Sequence, residues 1–369
     1  MLRHKYAQVF MLIAAVVGVE RLTRFTDTHQ YLTQLTMSGY YSLVIIGLCL
    51  LIGYAGQISI GHAGFFAIGG YTSAFLTTFN LMPYKDKALV SFLSKAGIAV
   101  SRGDLYGGQV LCIHPWAACI AAIVLTVAVA YAIGGPVLKL KGHYLAMATL
   151  GFGTIVYKIV LGTEMLGAAD GISDVPAFTL VPGIEVSGGL ETRVMDYYIA
   201  WGLVILGMVL LLNLVHSRVG RALRAIHGAE DAANAMGVNT GRYKLNMFVV
   251  SAVFAAVGGV FLTHYNGGIG PSEASIIKSV RYVAIVAIGG MANLWGALIM
   301  GLGLNFLSLR GFFGSYDDAV FGAILIIIML FTPEGLLRRD LFSDIGALLS
   351  RRHGSGEAGK SGSGGEDRA

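Results

Sequence analysis

A serine and a histidine three residues apart, Ser59 and His62, could in principle do chemistry together. A serine beside a histidine base is typical of a hydrolytic nucleophile, which also needs an oxyanion hole. The residues around Ser59 read Ile-Ser-Ile-Gly, without the glycine-flanked serine of a nucleophile elbow. The sequence therefore predicts no catalytic residue at this position.

A second motif points to nucleotide chemistry and lies near the end of the chain. Gly354, Gly359, Lys360 and Ser361 match the spacing of a phosphate-binding P-loop. A P-loop needs a strand before it and a helix after it, so that backbone N–H groups converge on phosphate. A basic, polar stretch precedes this match and few residues follow it. We therefore predict that the chain binds no nucleotide or other cofactor.

Metal-binding patterns are also missing from the sequence. The nine histidines are dispersed, and neither an H-x-x-x-H nor a C-x-x-C pair occurs. Cys49, Cys112 and Cys119 do not form a disulfide framework and are interpreted as small apolar residues. No metal site is predicted.

The composition decides the class of protein. Of 369 residues, 55% are hydrophobic and 13% charged, against ~25% charged in soluble proteins. The mean hydropathy is +0.70, and 51 residues are glycine. So few charges could not cover a soluble surface, and glycine favours close helix packing in a bilayer. The sequence predicts an all-α, polytopic membrane protein.

Ten apolar stretches are long enough to span a bilayer or nearly so. The first follows basic residues and could be a signal peptide, but no cleavage site follows it, so we expect a retained helix. The stretches are 6–20, 36–54, 62–80, 116–134, 144–162, 197–216, 245–265, 279–290, 294–310 and 319–332.

Lysine and arginine set the expected orientation. They are most concentrated in loop 217–244 and in the tail, which places both chain termini in the cytoplasm. Loops 81–115 and 163–196 then lie outside, and the second, rich in Gly, Pro and Ser, is expected to be ordered only in part. Two cations near span ends, Lys158 and Arg281, are expected to extend their charges toward the interface.

The stretch 53–66, GYAGQISIGHAGFF, interrupts two apolar runs with small and polar residues. Irregular backbone at membrane depth occurs only where it is buried in protein or lines a water-filled cavity. The segment therefore either lines a solute path or forms a tight turn in which Gly56 has positive φ. The candidate residues of a path are Gly56, Gln57, Ser59, Gly61, His62 and Gly64.

A second interruption, at 266–273, contains three glycines and a proline. If predicted helices 2–5 and 7–10 form an inverted repeat, the two interruptions occupy matching positions on opposite sides, which indicates a solute site near the midplane. The alternative is an ordinary outer loop.

Loop 217–244 contains an amphipathic segment. Ser217 is a candidate N-cap, and Arg218, Arg221 and Arg224 follow at three-residue spacing. Alanines then lead to Gly237, which permits a sharp turn. A purely solvated loop is the alternative, but the alanine content favours docking into the groove of a partner.

Taken together, several segments resemble the LivM-type permease subunits of branched-chain amino acid ABC transporters. The resemblance covers roughly 36–336, and two features depart from the family pattern: a short N-terminus, and Ala168-Ala169 where glycines are common. The matching segments are GYAGQISIGHAGFF at 53–66, LKGHYLAMATLGFG at 140–153, GAADGI at 167–172, the loop 217–248, AIGGMANLWGALIMG at 287–301 and TPEGL at 332–336.

The resemblance implies a subunit that catalyses no reaction itself. Its expected partners are a second, LivH-like permease, two ATPase subunits, a periplasmic solute-binding protein and the lipid bilayer, but no nucleic acid. The family's ATPase-coupling pattern, E-x-A-A-x-x-x-G, falls here on Glu230, Ala232, Ala233 and Gly237. Together with Arg218, Arg221 and Arg224, these residues form the predicted coupling site.

The expected organisation has three parts: an N-terminal helix and outer loop at 1–35, a permease domain at 36–336, and a cytoplasmic tail at 337–369 that is disordered from about 353. The expected function is ATP-driven import of branched-chain or similar hydrophobic amino acids across a bacterial inner membrane. Two alternatives stay open: import of urea or amides by the same kind of permease, and secondary transport driven by an ion gradient.

Overall fold

The computed structural model describes residues 2–84, 87, 90–91, 94, 97–103, 109–140, 142–312 and 314–331. Within these residues the chain is predominantly helical. The α-helices are α1 Leu2–Phe25, α2 Gln30–Cys49, α3 His62–Thr78, α4 Pro115–Val137, α5 His143–Gly162, α6 Arg193–His216, α7 Arg218–Gly228, α8 Glu230–Ala235, α9 Thr240–Asn266, α10 Ile276–Gly289, α11 Leu294–Leu309 and α12 Asp317–Phe331.

Within the described residues, six short strands lie in the connections. They form antiparallel pairs: β1 with β2, β3 with β6 and β4 with β5. The second pair joins the loop after α5 to the loop after α9. Their bounds are β1 Ala99–Gly103, β2 Gln109–Ile113, β3 Ile172–Ser173, β4 Phe178–Val181, β5 Ile184–Val186 and β6 Gly268–Ile269.

An α-helix lies at each of the ten predicted apolar stretches, but only part of the predicted span count is confirmed. In the described part of the chain, five helices are long and apolar enough to cross a membrane: Gln30–Tyr54, α4, α5, α6 and α9. Two of the others, α3 with 17 residues and α10 with 14, are short because each begins after an interruption of the chain.

The centre of the fold is built from α2, α3 and α9. The apolar window of α2 is 89% buried, whereas those of α4 and α5 are 33% buried and lie at the periphery. Small residues let α3 and α9 approach closely, because a Cβ at Gly69 would overlap the backbone of Ala256. The Ser73 hydroxyl of α3 donates a hydrogen bond of 2.8 Å to His264 Nε2 of α9, because His264 Nδ1 donates to the Pro176 carbonyl.

A π-helical turn, Leu50–Tyr54, ends α2 and packs against the connection between α10 and α11. A Cβ at Gly53 would overlap the carbonyl of Met291, so no larger residue fits there without movement. The Cys49 thiol lies 3.5 Å from the same carbonyl oxygen. The π-turn is therefore held in place at the start of the first interruption.

Two expectations, for loop 163–196 and for Arg281, were wrong. Loop 163–196 is described throughout and contains β3, the β4–β5 hairpin and the start of α6. Arg281 does not extend to the interface: its side chain is 16% exposed and pairs with Asp317 at 3.2 Å and Asp318 at 2.7 Å. Two carboxylates at the start of α12 hold this cation inside the protein.

Some predicted segments lie outside the described residues. They are the motif at 332–336, the P-loop-like match and the tail from 337.

Candidate functional site

The first interruption, residues 55–61, is an irregular segment between the π-turn and α3, with alternating exposure. Gln57 and Ser59 are buried, at 2% and 1% exposure, whereas Ile58 is 44% exposed. Gly56 has φ +67°, as the turn interpretation predicted. It lies two residues after the π-turn, which ends at Tyr54. Both polar atoms of the Gln57 side chain are buried without a hydrogen-bond partner.

The Ser59–His62 pair is a buried structural contact. His62 is 1% exposed, and both of its ring nitrogens are engaged. Nδ1 lies 3.1 Å from Ser59 Oγ and Nε2 lies 2.8 Å from Ser251 Oγ of α9. The histidine thus fastens the end of the interruption to α9.

Two further hydroxyls hold the backbone at the start of α3. The N–H of Ile60 donates to Thr149 Oγ1 of α5 at 3.0 Å. The N–H of Ala63 donates to Ser279 Oγ of α10 at 3.2 Å. The second bond satisfies an N–H group in the first turn of α3 that has no partner within the helix.

Glycines permit the close approach of α5 to this region. A Cβ at Gly61 would overlap the carbonyl of Thr149, and a Cβ at Gly64 would lie 3.3 Å from the Cα of Gly153. The six residues predicted for a path thus lie together, in contact with α5, α9 and α10. In this conformation five of the six are buried within the chain, and only Gly56 is exposed.

The second interruption follows the C-terminus of α9. Gly267 ends the helix with φ +66°, β6 pairs with β3, and a 3₁₀ turn at Pro271–Ala274 leads to α10. Ser275 caps α10 by accepting the N–H of Lys278 at 3.3 Å. Because Ala63 bonds to Ser279, the N-termini of the two short helices, α3 and α10, meet inside the protein.

The predicted coupling site forms two short helices, α7 and α8. Ser217 caps α7 by accepting the N–H of Val219 at 3.1 Å, as predicted. Leu223 and Ile226 are buried, which fixes one face of α7 against the protein. The opposite face is exposed and carries Arg218, Arg221 and Arg224.

The second helix, α8, is anchored by an ion pair. Glu230 Oε2 lies 2.6 Å from Lys244 Nζ of α9. Ala233 is buried and Ala232 exposed, and Gly237 ends the segment with φ +83°. Beside these exposed residues is Met236, at 85% exposure.

The predicted coupling segment, which is α7 and α8, is in contact with the first interruption. His227, at the end of α7, lies against Gly56: a Cβ built on Gly56 would be 2.8 Å from His227 Nδ1. The exposed loop helices are thus in direct contact with the interruption that leads into the centre of the fold. This contact joins the two predicted sites.

Sequence reasoning missed the residues that hold these segments. His227 and Lys244 lie within the predicted loop, but their partners are distant or on another helix. Ser251 and Ser279 are single hydroxyls in apolar helices, and no local pattern indicates what they contact. Met236 could have been found as the one large apolar residue among alanines. In the described part of the chain no cluster of metal-ligating side chains occurs.

Residues 30–329 match the profile of the family described as branched-chain amino acid transport system / permease component. The chain belongs to this family.

Among curated members of this permease family, the chain is 31% identical to the high-affinity branched-chain amino acid transport system permease protein LivM of Salmonella typhimurium. That alignment spans 82% of this chain and 68% of the relative. It is 29% identical to LivM of Escherichia coli, over 91% and 75%. It is also 28% identical to the permease LivH of Salmonella typhimurium, over 84% and 95%. No solved structure matches the chain.

Proposed function

We propose that this chain is one membrane-spanning subunit of an ATP-driven importer for branched-chain amino acids, in which separate subunits hydrolyse ATP. The observation that carries the proposal is the contact between His227 of α7 and Gly56 of the first interruption. It provides a physical connection from an exposed docking segment to the centre of the membrane domain. The names of the LivM and LivH relatives supply the solute class.

In this proposal α7 and α8 dock on the ATPases. The exposed arginines orient the encounter, since rim charges affect association rate and register more than affinity. Ala232 and Met236 supply the small and apolar contacts that a groove accepts. ATP binds the closed form of the ATPases more tightly, and this differential affinity provides the free energy of the movement.

The movement reaches the membrane domain at three places. The helices at the two ends of the segment, α6 and α9, continue from it directly, and Lys244 joins α9 to Glu230. His227 contacts Gly56, whose positive φ makes it a natural pivot. Displacement of α7 would therefore change the course of residues 55–61.

The membrane domain in this proposal has about ten spans arranged as an inverted repeat. Two chain interruptions lead to short helices, α3 and α10, and their N-termini meet at the Ala63–Ser279 hydrogen bond. Half-helix N-termini that converge near the midplane suit the carboxylate of a solute. Gln57, Ser59 and His62 would border the path after the interruption moves.

The assembly would pair this chain with a LivH-like permease, two ATPases and a periplasmic binding protein in the bacterial inner membrane. The exposed basic face of α7 supports a cytoplasmic position for the coupling segment, and hence for both termini. The weakly buried helices α4 and α5 are available to lipid or to the second permease.

The test is transport by the complete complex in proteoliposomes, with labelled leucine and labelled urea as solutes. We expect leucine accumulation that requires ATP, the ATPases and the binding protein. Uptake of urea and not of leucine would support the alternative that this permease imports urea or amides. Leucine accumulation by this chain alone under an ion gradient would refute the coupling proposal and establish a secondary transporter.

A further inference from the structure

Three side chains form a charged cluster at the second interruption. Lys278 Nζ lies 2.7 Å from Glu273 Oε1 and 2.9 Å from the hydroxyl of Tyr41. The Tyr41 hydroxyl donates to the same Glu273 oxygen at 3.1 Å. The ammonium also lies 4.5 Å from the centre of the Tyr41 ring, within cation–π range. Glu273 and Lys278 are 16% and 24% exposed, so the pair is mostly buried but can be reached.

The cluster has unused hydrogen-bonding capacity. Glu273 Oε2 is buried without a partner, and so are the hydroxyls of Tyr71 and Tyr282. The Tyr282 ring lies 6.3 Å from the Tyr41 ring. Tyr71 is on α3, which packs against the 3₁₀ turn that carries Glu273. Buried polar atoms in native proteins are normally paired, so three unpaired ones around one ion pair call for an explanation.

The position of the cluster is also informative. Glu273 lies on the 3₁₀ turn of the second interruption and Lys278 lies in the first turns of α10, one residue from Ser279. Ser279 holds the N-terminus of α3, so the cluster adjoins the meeting point of the two interruptions. Tyr41 lies on α2, and its ring stacks on Phe66 of α3 at 5.8 Å. Four segments of the fold therefore converge on the pair.

We propose that Glu273, Lys278 and Tyr41, with the hydroxyls of Tyr71 and Tyr282, form a binding site for the charged groups of an α-amino acid zwitterion. This inference rests on the proposed function and specifies which residues bind the solute. The carboxylate of the solute pairs with Lys278, and its ammonium pairs with Glu273 through Oε2. The tyrosine hydroxyls complete the hydrogen bonds of both groups.

An exchange of partners makes this binding physically reasonable. Separating a buried ion pair is costly because each charge is left uncompensated. A zwitterion brings one charge of each sign, so Glu273 and Lys278 both stay paired when it enters. A solute with only one charge leaves one of the two residues without a counter-charge. The site thus selects amino acids over amines, carboxylic acids and neutral amides.

The alternative is an ion pair that only braces the second interruption against α2. The tyrosines separate the two explanations. Removing a buried, unpaired hydroxyl from a purely structural site is neutral or stabilising. Tyr71→Phe and Tyr282→Phe therefore fold normally under either explanation, and only the binding site predicts a loss of transport.

The experiment measures labelled-leucine uptake and ATPase activity of the complete complex for five variants. They are Tyr71→Phe, Tyr282→Phe, Glu273→Gln, Lys278→Gln and the double variant Glu273→Gln/Lys278→Gln. Asp318→Asn is the matched control, because it neutralises one carboxylate of the other ion pair on α10, that of Arg281. Thermal unfolding of each variant in detergent is measured in parallel.

We expect each tyrosine variant to lower leucine uptake at least threefold with an unchanged unfolding temperature. The double variant should lower uptake at least tenfold, and the control should stay within twofold of wild type. Recovery of uptake in the double variant relative to the single ones would show a brace and overturn the inference. So would tyrosine variants that transport at the wild-type rate.

Failure of the proposed function is visible separately. It is read from the wild-type complex, as absence of ATP-dependent leucine uptake. The binding-site inference is tested by the ratio of uptake in each variant to uptake in the wild type, measured for whichever solute the wild type transports. Wild-type transport of an uncharged solute, with variants unaffected, would overturn both.

Discussion

The ion pair between Glu230 and Lys244 offers the sharpest test of the coupling segment. We consider Glu230→Gln, which removes the charge, Glu230→Lys, which places two cations together, and the exchange Glu230→Lys/Lys244→Glu. The wild-type pair joins α8 to α9 with a separation of 2.6 Å. The two side chains are 26% and 14% exposed, so the pair is partly shielded from solvent.

The expected magnitude follows from that burial. A charge-assisted hydrogen bond contributes ~1.5–3 kcal/mol, and partial exposure puts this pair at the lower end. A loss of about 1.4 kcal/mol changes an equilibrium constant about tenfold. If α8 must stay anchored on α9 to transmit movement, Glu230→Gln lowers the leucine transported per ATP about tenfold. Glu230→Lys lowers it further because it adds repulsion.

The assay compares leucine uptake with ATP hydrolysis in the reconstituted complex. Glu191→Lys, an exposed charge reversal in the loop before α6, is the control and should leave the ratio unchanged. The exchange variant restores the pair and should recover most of the ratio. If Glu230→Lys transports as many leucines per ATP as wild type, the coupling role of α8 is refuted. If the exchange variant stays uncoupled while Glu230→Lys is defective, Glu230 contacts the ATPase directly and the anchoring explanation is wrong.

Three further predictions concern individual positions. Gly53→Ala should destabilise the fold by ~1–3 kcal/mol because its methyl group would overlap the carbonyl of Met291, whereas Gly151→Ala, with open space around it, should be neutral in thermal unfolding. Ala168 has φ +46°, so Ala168→Gly should raise stability by about 1 kcal/mol, and Ala169→Gly, outside the left-handed region, should not. In a variant without native cysteines, Ile58→Cys should react with an aqueous maleimide at rest, and Gln57→Cys should react only during turnover; equal rates in the resting complex would contradict the alternating exposure.

Glycine and capping residues were the reliable guides to local structure. Gly56 and Gly237 have the positive φ expected where an apolar run is interrupted, and Ser217 caps α7 as its position indicated. Ala168, which departs from the family pattern, is itself in the left-handed region, where a glycine would be unstrained. These features depend on a few neighbouring residues, so the sequence alone reveals them.

Contacts between distant segments could not be predicted in the same way. Ser251 and Ser279 each contact the start of α3 from about 190 and 216 residues away, and one hydroxyl in an apolar helix does not indicate its partner. Arg281 was expected at the interface because it lies near the start of a predicted span, yet its carboxylate partners lie on α12, far along the chain. The charged cluster of Lys278 was missed for the same reason, since Tyr41 is 237 residues away.

The pairing of β3 with β6 links the loop after α5 to the second interruption, and this matters when another protein binds that loop. Ile172 and Ser173 share a ladder with Ile269 and Gly268, and the N–H of Val175 donates to the Gly267 carbonyl at 3.0 Å. Glu273 follows only four residues after this ladder. A protein that seats on the loop after α5 would therefore shift the zwitterion site through a few backbone bonds, while every long helix keeps its place. Docking of a solute-binding protein and rearrangement of the proposed zwitterion site would then occur in the same step.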